Sequence, residues 1–155
     1  MPQSIDGLRV MKIRAADFGG GDRTILLVED ETFVREVTGE ILRAAGYEVL
    51  SATTAAEGAT IYAERGSEIS LVITDIVLPA ETGVTLAAAL RRKTKDLKVL
   101  FITGYYERAR NMNPEEFLAK PFSASILLSR VMQLLHEGEI DLPLEEFAMP
   151  AGVGA

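Results

Sequence analysis

Four short apolar runs punctuate the chain, and each stops abruptly at polar residues. Residues 25–28 run into Glu29-Asp30, residues 71–74 into Asp75, residues 99–102 into Thr103, and residues 117–119 into Lys120-Pro121. Runs of this length with little alternation suit strands buried on both faces. A fifth strand is expected over 47–52. The intervening stretches carry helical spacing. Phe33, Val34, Val37, Ile41, Leu42 and Ala45 recur at three- and four-residue intervals and predict a helix over about 32–45, stopped by Gly46. Thr54 followed by Glu57 is a capping box for a helix reaching about Arg65, with Gly66-Ser67 breaking it.

The remaining elements follow from the same spacing. Residues 69–74 and 98–102 read as strands, separated by a helix over about 84–93 with Leu86, Ala89 and Leu90 inward. Between Thr103 and Phe117 the pattern is poor, because Gly104, Asn111, Asn113 and Pro114 leave little room for a full helix. Ser123 opens a last helix to about His136, with Ile126, Leu127, Val131, Leu134 and Leu135 as its core stripe. Strands alternating with helices imply parallel strands joined by right-handed crossovers. The expected fold is therefore α/β, a doubly wound parallel sheet whose ligands sit outside the carboxyl ends of its strands. The polar residues that end the apolar runs lie at those ends.

Charge divides the chain. The formal net charge is −7, which argues against a general nucleic-acid binder. Residues 137–155 carry five acids and no base. We expect a flexible N-terminal arm over 1–23, a folded domain over 24–137 and an acidic C-terminal tail over 138–155. In the arm, Leu8, Val10, Met11 and Ile13 suit a short strand or one helical turn equally well. The tail, with Ile140, Leu142, Leu144, Phe147 and Met149 among acids and prolines, reads as disordered; docking on the domain or on a partner is the sharper alternative. No run of eighteen apolar residues suggests a membrane span, and no secretory leader is seen. The absence of cysteine excludes disulfides and thiolate chemistry and fits a cytoplasmic setting. His136 reads as a surface residue at a helix end, and the basic run from Arg91 to Lys98 as a solvated face.

Glu29, Asp30 and Asp75 would converge at neighbouring strand ends. Three carboxylates so close repel one another unless a cation neutralises them, and an all-oxygen donor set favours a hard ion, most plausibly Mg2+. Lys120 adds a fixed positive charge and Thr103 a hydroxyl. A carboxylate flanked by a metal, an ammonium and a hydroxyl is suited to attack phosphorus, since phosphoryl transfer needs neutralised oxygens and an aligned nucleophile.

In these residues the chain resembles the receiver domains of two-component response regulators, from about Thr24 to His136. The resemblance rests on Leu-Leu-Val-Glu29-Asp30-Glu, on Asp75-Ile-Val-Leu-Pro79 with Gly83 eight residues beyond the aspartate, on Ile-Thr103-Gly, and on Lys120-Pro121-Phe. It implies a flavodoxin-like five-stranded sheet of order 2-1-3-4-5. Asp75 would accept phosphate from a phosphohistidine donor, a sensor histidine kinase or a histidine phosphotransfer protein. Asp30, Asp75 and the Val77 backbone carbonyl would bind Mg2+, with Glu29 acting through water. Lys120 would contact the phosphoryl group, Thr103 would move toward it, and Phe117 would turn inward; the Lys120–Pro121 bond would be cis. Tyr105 and Val77 would tune dephosphorylation. Such a domain is a signalling switch and not a turnover enzyme; it acts through protein contacts, with neither nucleic acid nor membrane as partner and with a homodimer possible.

Phe117 stands where tyrosine is common in that family. The span from Thr103 to Lys120 is short, as in receivers of hybrid histidine kinases and some stand-alone ones, so the fourth helix is expected to be shortened or irregular. Two other classes compete. A magnesium-dependent phosphatase with an aspartyl-phosphate intermediate generally needs an acid two residues after the nucleophile, where Val77 stands. A non-phosphorylated binding module with a degenerate site would lack acids or the lysine, and all are present.

Overall fold

A computed structural model describes residues 2–5, 8–11 and 23–135. Of the arm, Pro2–Ile5 (β1) and Leu8–Met11 (β2) pair antiparallel, Ile5 opposite Leu8. His136 and the acidic tail lie outside the described residues.

The domain is built on strands Thr24–Val28 (β3), Glu48–Ala52 (β4), Ile69–Asp75 (β5), Lys98–Thr103 (β6) and Phe117–Ala119 (β7). All pairings among them are parallel, in the spatial order β4-β3-β5-β6-β7, the expected 2-1-3-4-5. Helices Thr32–Ala44 (α1), Ala55–Arg65 (α2), Gly83–Lys93 (α3) and Ala124–Leu135 (α4) cover the sheet.

Two-residue periodicity within each strand divides the core. Leu26, Val28, Val72, Val99 and Phe101 pack on one side with Tyr62 of α2 and with Leu86 and Leu90 of α3. Ile25, Leu27, Leu71, Ile73, Leu100 and Ile102 pack on the other with Leu42 of α1 and with Leu127 and Val131 of α4. Because both faces are buried, the strands read as continuous apolar runs. Each fully buried Leu or Ile contributes about 1.5–3 kcal/mol relative to exposure.

Local chemistry sets the element ends. The Thr54 side chain accepts the Glu57 backbone N–H, while Glu57 Oε1 accepts from the N–H and hydroxyl of Thr53, so the capping box closes one residue early. Gly46, at φ 105, makes the turn after α1 in a region that a Cβ would penalise. The stretch expected to be irregular forms two 3-10 turns, Tyr106–Ala109 and Pro114–Glu116. Pro114 lacks the N–H that would continue a helix and holds Asn113 extended, and the Asn113 side chain caps the short turn that follows.

Two expectations about inward faces need correction, and the inner face of α1, which its spacing left open, is settled. In α3 the buried face is Gly83, Leu86, Ala87 and Leu90, with Ala89 only half-buried. In α4, Ile126 is 51% exposed, and Met132 joins Leu127 and Val131 inside. The edge strand beside this helix has only three residues, so the helix buries a narrow face. In α1, Phe33 is 78% and Val37 38% exposed; the buried positions are Thr38, Gly39 and Leu42. The apolar spacing of Phe33 and Val37 located the helix but not its inner side.

Gly83 fixes how closely α3 approaches β5. A Cβ there would lie 2.1 Å from the Asp75 carbonyl oxygen and 2.8 Å from Thr74 Oγ1. Gly83→Ala is therefore expected to push the helix off the strand end and destabilise the fold by about 1–3 kcal/mol, read from urea unfolding.

Candidate functional site

Strand register brings the polar residues to one level. Val28 pairs with Thr74, so Glu29 lies beside Asp75; Asp75 pairs with Ile102, and Thr103 with Ala119, so Thr103 and Lys120 follow on the next strands. Backbone bonds extend the ladder past the strand ends: Glu29 N–H to the Ala52 carbonyl, Ile76 N–H to Ile102, and Lys120 N–H to Thr103. The Lys120–Pro121 bond is cis, as the resemblance implied.

Each member is held by identifiable contacts. Asp75, buried, accepts the Val77 N–H at 3.0 Å on Oδ1 and the Lys120 ammonium at 2.8 Å on Oδ2. Glu29, fully buried, accepts the Glu31 N–H at 3.1 Å on Oε2. Its Oε1 lies 3.0 Å from Lys120 Nζ but makes no directed hydrogen bond, so that contact is ionic. Asp30 is exposed at the mouth. Thr103 is buried, and its hydroxyl oxygen accepts the Tyr105 N–H at 3.0 Å. Phe117 is half-buried against the α2–α3 side of the core, its carbonyl gripped by Arg130 at 2.6 Å. Asp30, Glu31, Asp75, Val77, Gly104, Tyr105 and Lys120 line a pocket of about 420 Å³.

Electrostatics follow from the crowding. Burial pushes the Glu29 carboxyl above its ordinary range, and Asp75 adds to this; the Glu31 N–H and Lys120 only partly offset it. Burial works against the Lys120 ammonium, but the hydrogen bond to Asp75 and the close negative charges of Glu29 and Asp75 outweigh it and raise its pKa. Oxygens of Glu29, Asp30 and Asp75 lie within 4.8 Å of one another. The orphaned Glu29 oxygen, the all-oxygen donors and the excess of acid over the single lysine fit a hard divalent cation.

Of the expected residues, Asp30, Asp75, Val77 and Lys120 line this pocket; Glu29 is buried against Lys120, Thr103 is buried and bonded to Tyr105 of the lining, and Phe117 stands back on β7. Two contributors carried little sequence signal. Glu31 extends the acidic pair by one residue and reaches Lys120 at 3.2 Å. Arg35, one turn into α1, donates to the Glu29 carbonyl at 2.9 Å and the Asp30 carbonyl at 3.4 Å, bracing the loop that presents both acids. An arginine on an amphipathic helix looks like any surface cation until the helix is docked.

Beside the acidic pocket runs an apolar groove of about 360 Å³ between α1 and the β7–α4 connection. Phe33, Val37 and Ile41 form one wall and Pro121 and Phe122 the other, with Lys120 at the end shared with the acidic pocket.

Because burial raises the Glu29 pKa, its ionised form opposes folding at neutral pH. That stability contribution is present below the unfolded-state value of 4.5 and is lost as pH rises through the higher folded value. Glu29→Gln is thus expected to raise the melting temperature of the metal-free protein at pH 7, with the gain shrinking as pH falls toward 4.5. Thermal melts of both proteins across that range check it; a pH-independent gap would contradict the electrostatic origin.

Comparison with known proteins agrees with this geometry. A family model described as the response regulator receiver domain matches residues 25–132. The chain is 37% identical over 131 residues to the sensor kinase CckA of Brucella abortus, covering 81% of this chain and 14% of the kinase. It is 34% identical to the response regulator receiver protein CpdR of the same species, covering 73% of this chain and 97% of that protein. The structure of the Thermotoga maritima response regulator TrrA, solved in complex with Mg2+–BeF, superposes with a TM-score of 0.66 at 31% identity, covering 73% of this chain and 99% of that one. The chain spans about half the length of the curated transcriptional regulators it matches.

Proposed function

The chain belongs to the response regulator receiver family, the phosphoacceptor domains of two-component signalling, and we propose that Asp75 is its phosphoacceptor. The observation that carries this reading is the pinning of both Asp75 oxygens, Oδ1 by the Val77 N–H and Oδ2 by Lys120, at the end of a buried strand. A carboxylate oriented in this way needs little reorganisation to attack in line. An Asp75 oxygen forms the new O–P bond while the P–N bond of a phosphohistidine breaks, and the imidazole leaves with the electron pair. Lys120 neutralises a phosphoryl oxygen. Thr103, whose O–H donates to nothing among the described residues, supplies a donor once the product forms.

Asp30, Asp75 and the Val77 carbonyl would hold Mg2+, with Glu29 bonded through water. The ion would offset negative charge on the phosphoryl oxygens. Phe117 is read as the residue that reports the state of Thr103 one strand away. The role is that of a switch, with self-phosphorylation and autodephosphorylation as its only chemistry, in a cytoplasmic setting. The phosphatase alternative is disfavoured by Val77, which offers no general acid two residues after Asp75.

The phosphodonor is proposed to be a histidine kinase or phosphotransfer protein that seats an apolar helix face in the α1 groove. Phe33, at 78% exposure, is a large aromatic facing water beside Lys120, an arrangement that suits a docking anchor.

Incubation with Mg2+ and acetyl phosphate should add one phosphoryl group, located at Asp75 by mass spectrometry and absent in Asp75→Asn. An adduct that survives that substitution refutes the assignment. Phe33→Asp is expected to slow transfer from a phosphorylated phosphotransfer protein about tenfold. The acetyl phosphate rate should be unaltered, and equal loss with both donors would count against docking at the groove.

A further inference from the structure

An ammonium has three N–H donors, and three carboxylates surround that of Lys120: Asp75 at 2.8 Å, Glu29 at 3.0 Å and Glu31 at 3.2 Å. The three are not equivalent. Side-chain exposure is 8% for Asp75 and 0% for Glu29, so neither can trade the lysine for water. That of Glu31 is 61%, so its carboxylate is hydrated as soon as it lets go. Its backbone N–H is committed to Glu29 Oε2, which anchors the main chain while the side chain stays free to swing.

A phosphoryl group on Asp75 brings new acceptor oxygens to an ammonium already hydrogen-bonded to Asp75 and Glu31 and ion-paired with Glu29, so it competes with these carboxylates for the lysine. Glu31 yields at the least cost. We propose that Glu31 is a rate-setting residue of the phosphoacceptor site, holding Lys120 at rest and displaced by a phosphoryl oxygen as transfer occurs. The inference rests on Asp75 being the phosphoacceptor. Glu31 also lines the mouth of the pocket, so an anionic phosphodonor passes its charge on the way in. Competition for Lys120 and repulsion of the donor act in the same direction, and both slow phosphorylation.

The test compares wild type, Glu31→Gln and Glu31→Asp at saturating Mg2+, following adduct formation from acetyl phosphate by intact mass and beryllofluoride affinity by titration. Glu31→Gln is expected to react about two- to five-fold faster and to bind beryllofluoride more tightly, the size set by an exposed ion pair. The gain should shrink in 1 M salt. Glu31→Asp, which keeps the charge but is too short to hold the lysine as closely, should fall between. Melting temperatures close to wild type exclude a folding effect, because the side chain is mostly solvated.

A Glu31→Gln protein no faster than wild type at saturating Mg2+ overturns the proposal. So does one slowed in proportion to weakened Mg2+ binding, since the carboxylate would then serve the metal. If wild type itself gains no adduct, the Asp75 assignment fails and this inference with it. Normal wild-type phosphorylation without acceleration in Glu31→Gln removes this inference alone.

Discussion

Among the described residues, Lys120 is the one ammonium amid the four carboxylates gathered at the carboxyl edge of the sheet. Without it, Glu29 and Asp75 would be like charges buried side by side, and a buried charge with no partner is among the most destabilising things a fold can contain. The ammonium is carried by the residue immediately after the shortest strand of the sheet, the same residue that forms the cis peptide bond with Pro121. The position of β7 at the sheet edge is therefore tied to the electrostatics of β3 and β5. The surplus of negative charge that remains after Lys120 is counted is what makes the pocket suit a divalent cation.

The same surplus means that the site is not arranged for greatest stability. Burial disfavours the ionised form of Glu29, its Oε1 has no directed partner, and Gly83 is held where no other residue fits. Stability given up at a site is characteristic of positions retained for binding or chemistry. The surrounding sheet supplies the compensation, with core side chains fully buried on both faces of every central strand.

The two surfaces near Lys120 serve different ends. The acidic pocket concentrates charge and suits an ion and a small anion. The α1 groove is apolar and shallow, and suits a side-chain-to-side-chain contact with another protein. Their shared lysine couples them in space, so that a macromolecule seated in the groove would bring its reactive group over Asp75.

How much of this was legible beforehand depended on whether the signal was local. The strand runs, the capping residues Thr54 and Ser123, the Gly46 stop and the irregular stretch before Phe117 were readable because each depends on backbone preferences within a few residues. Glu29, Asp30, Asp75, Thr103 and Lys120 were readable as one site because a parallel sheet puts successive strand ends on the same edge. Tertiary structure alone decided which side of α1 faces water, since Phe33 and Leu42 satisfy the same helical spacing and only docking on β3 and β4 separates them. It likewise decided that Ala87 and not Ala89 is buried, that Arg35 braces the acidic loop, and that Glu31 reaches Lys120 across 89 residues of sequence. Those are contacts between elements, and periodicity carries no information about which neighbour a helix will meet.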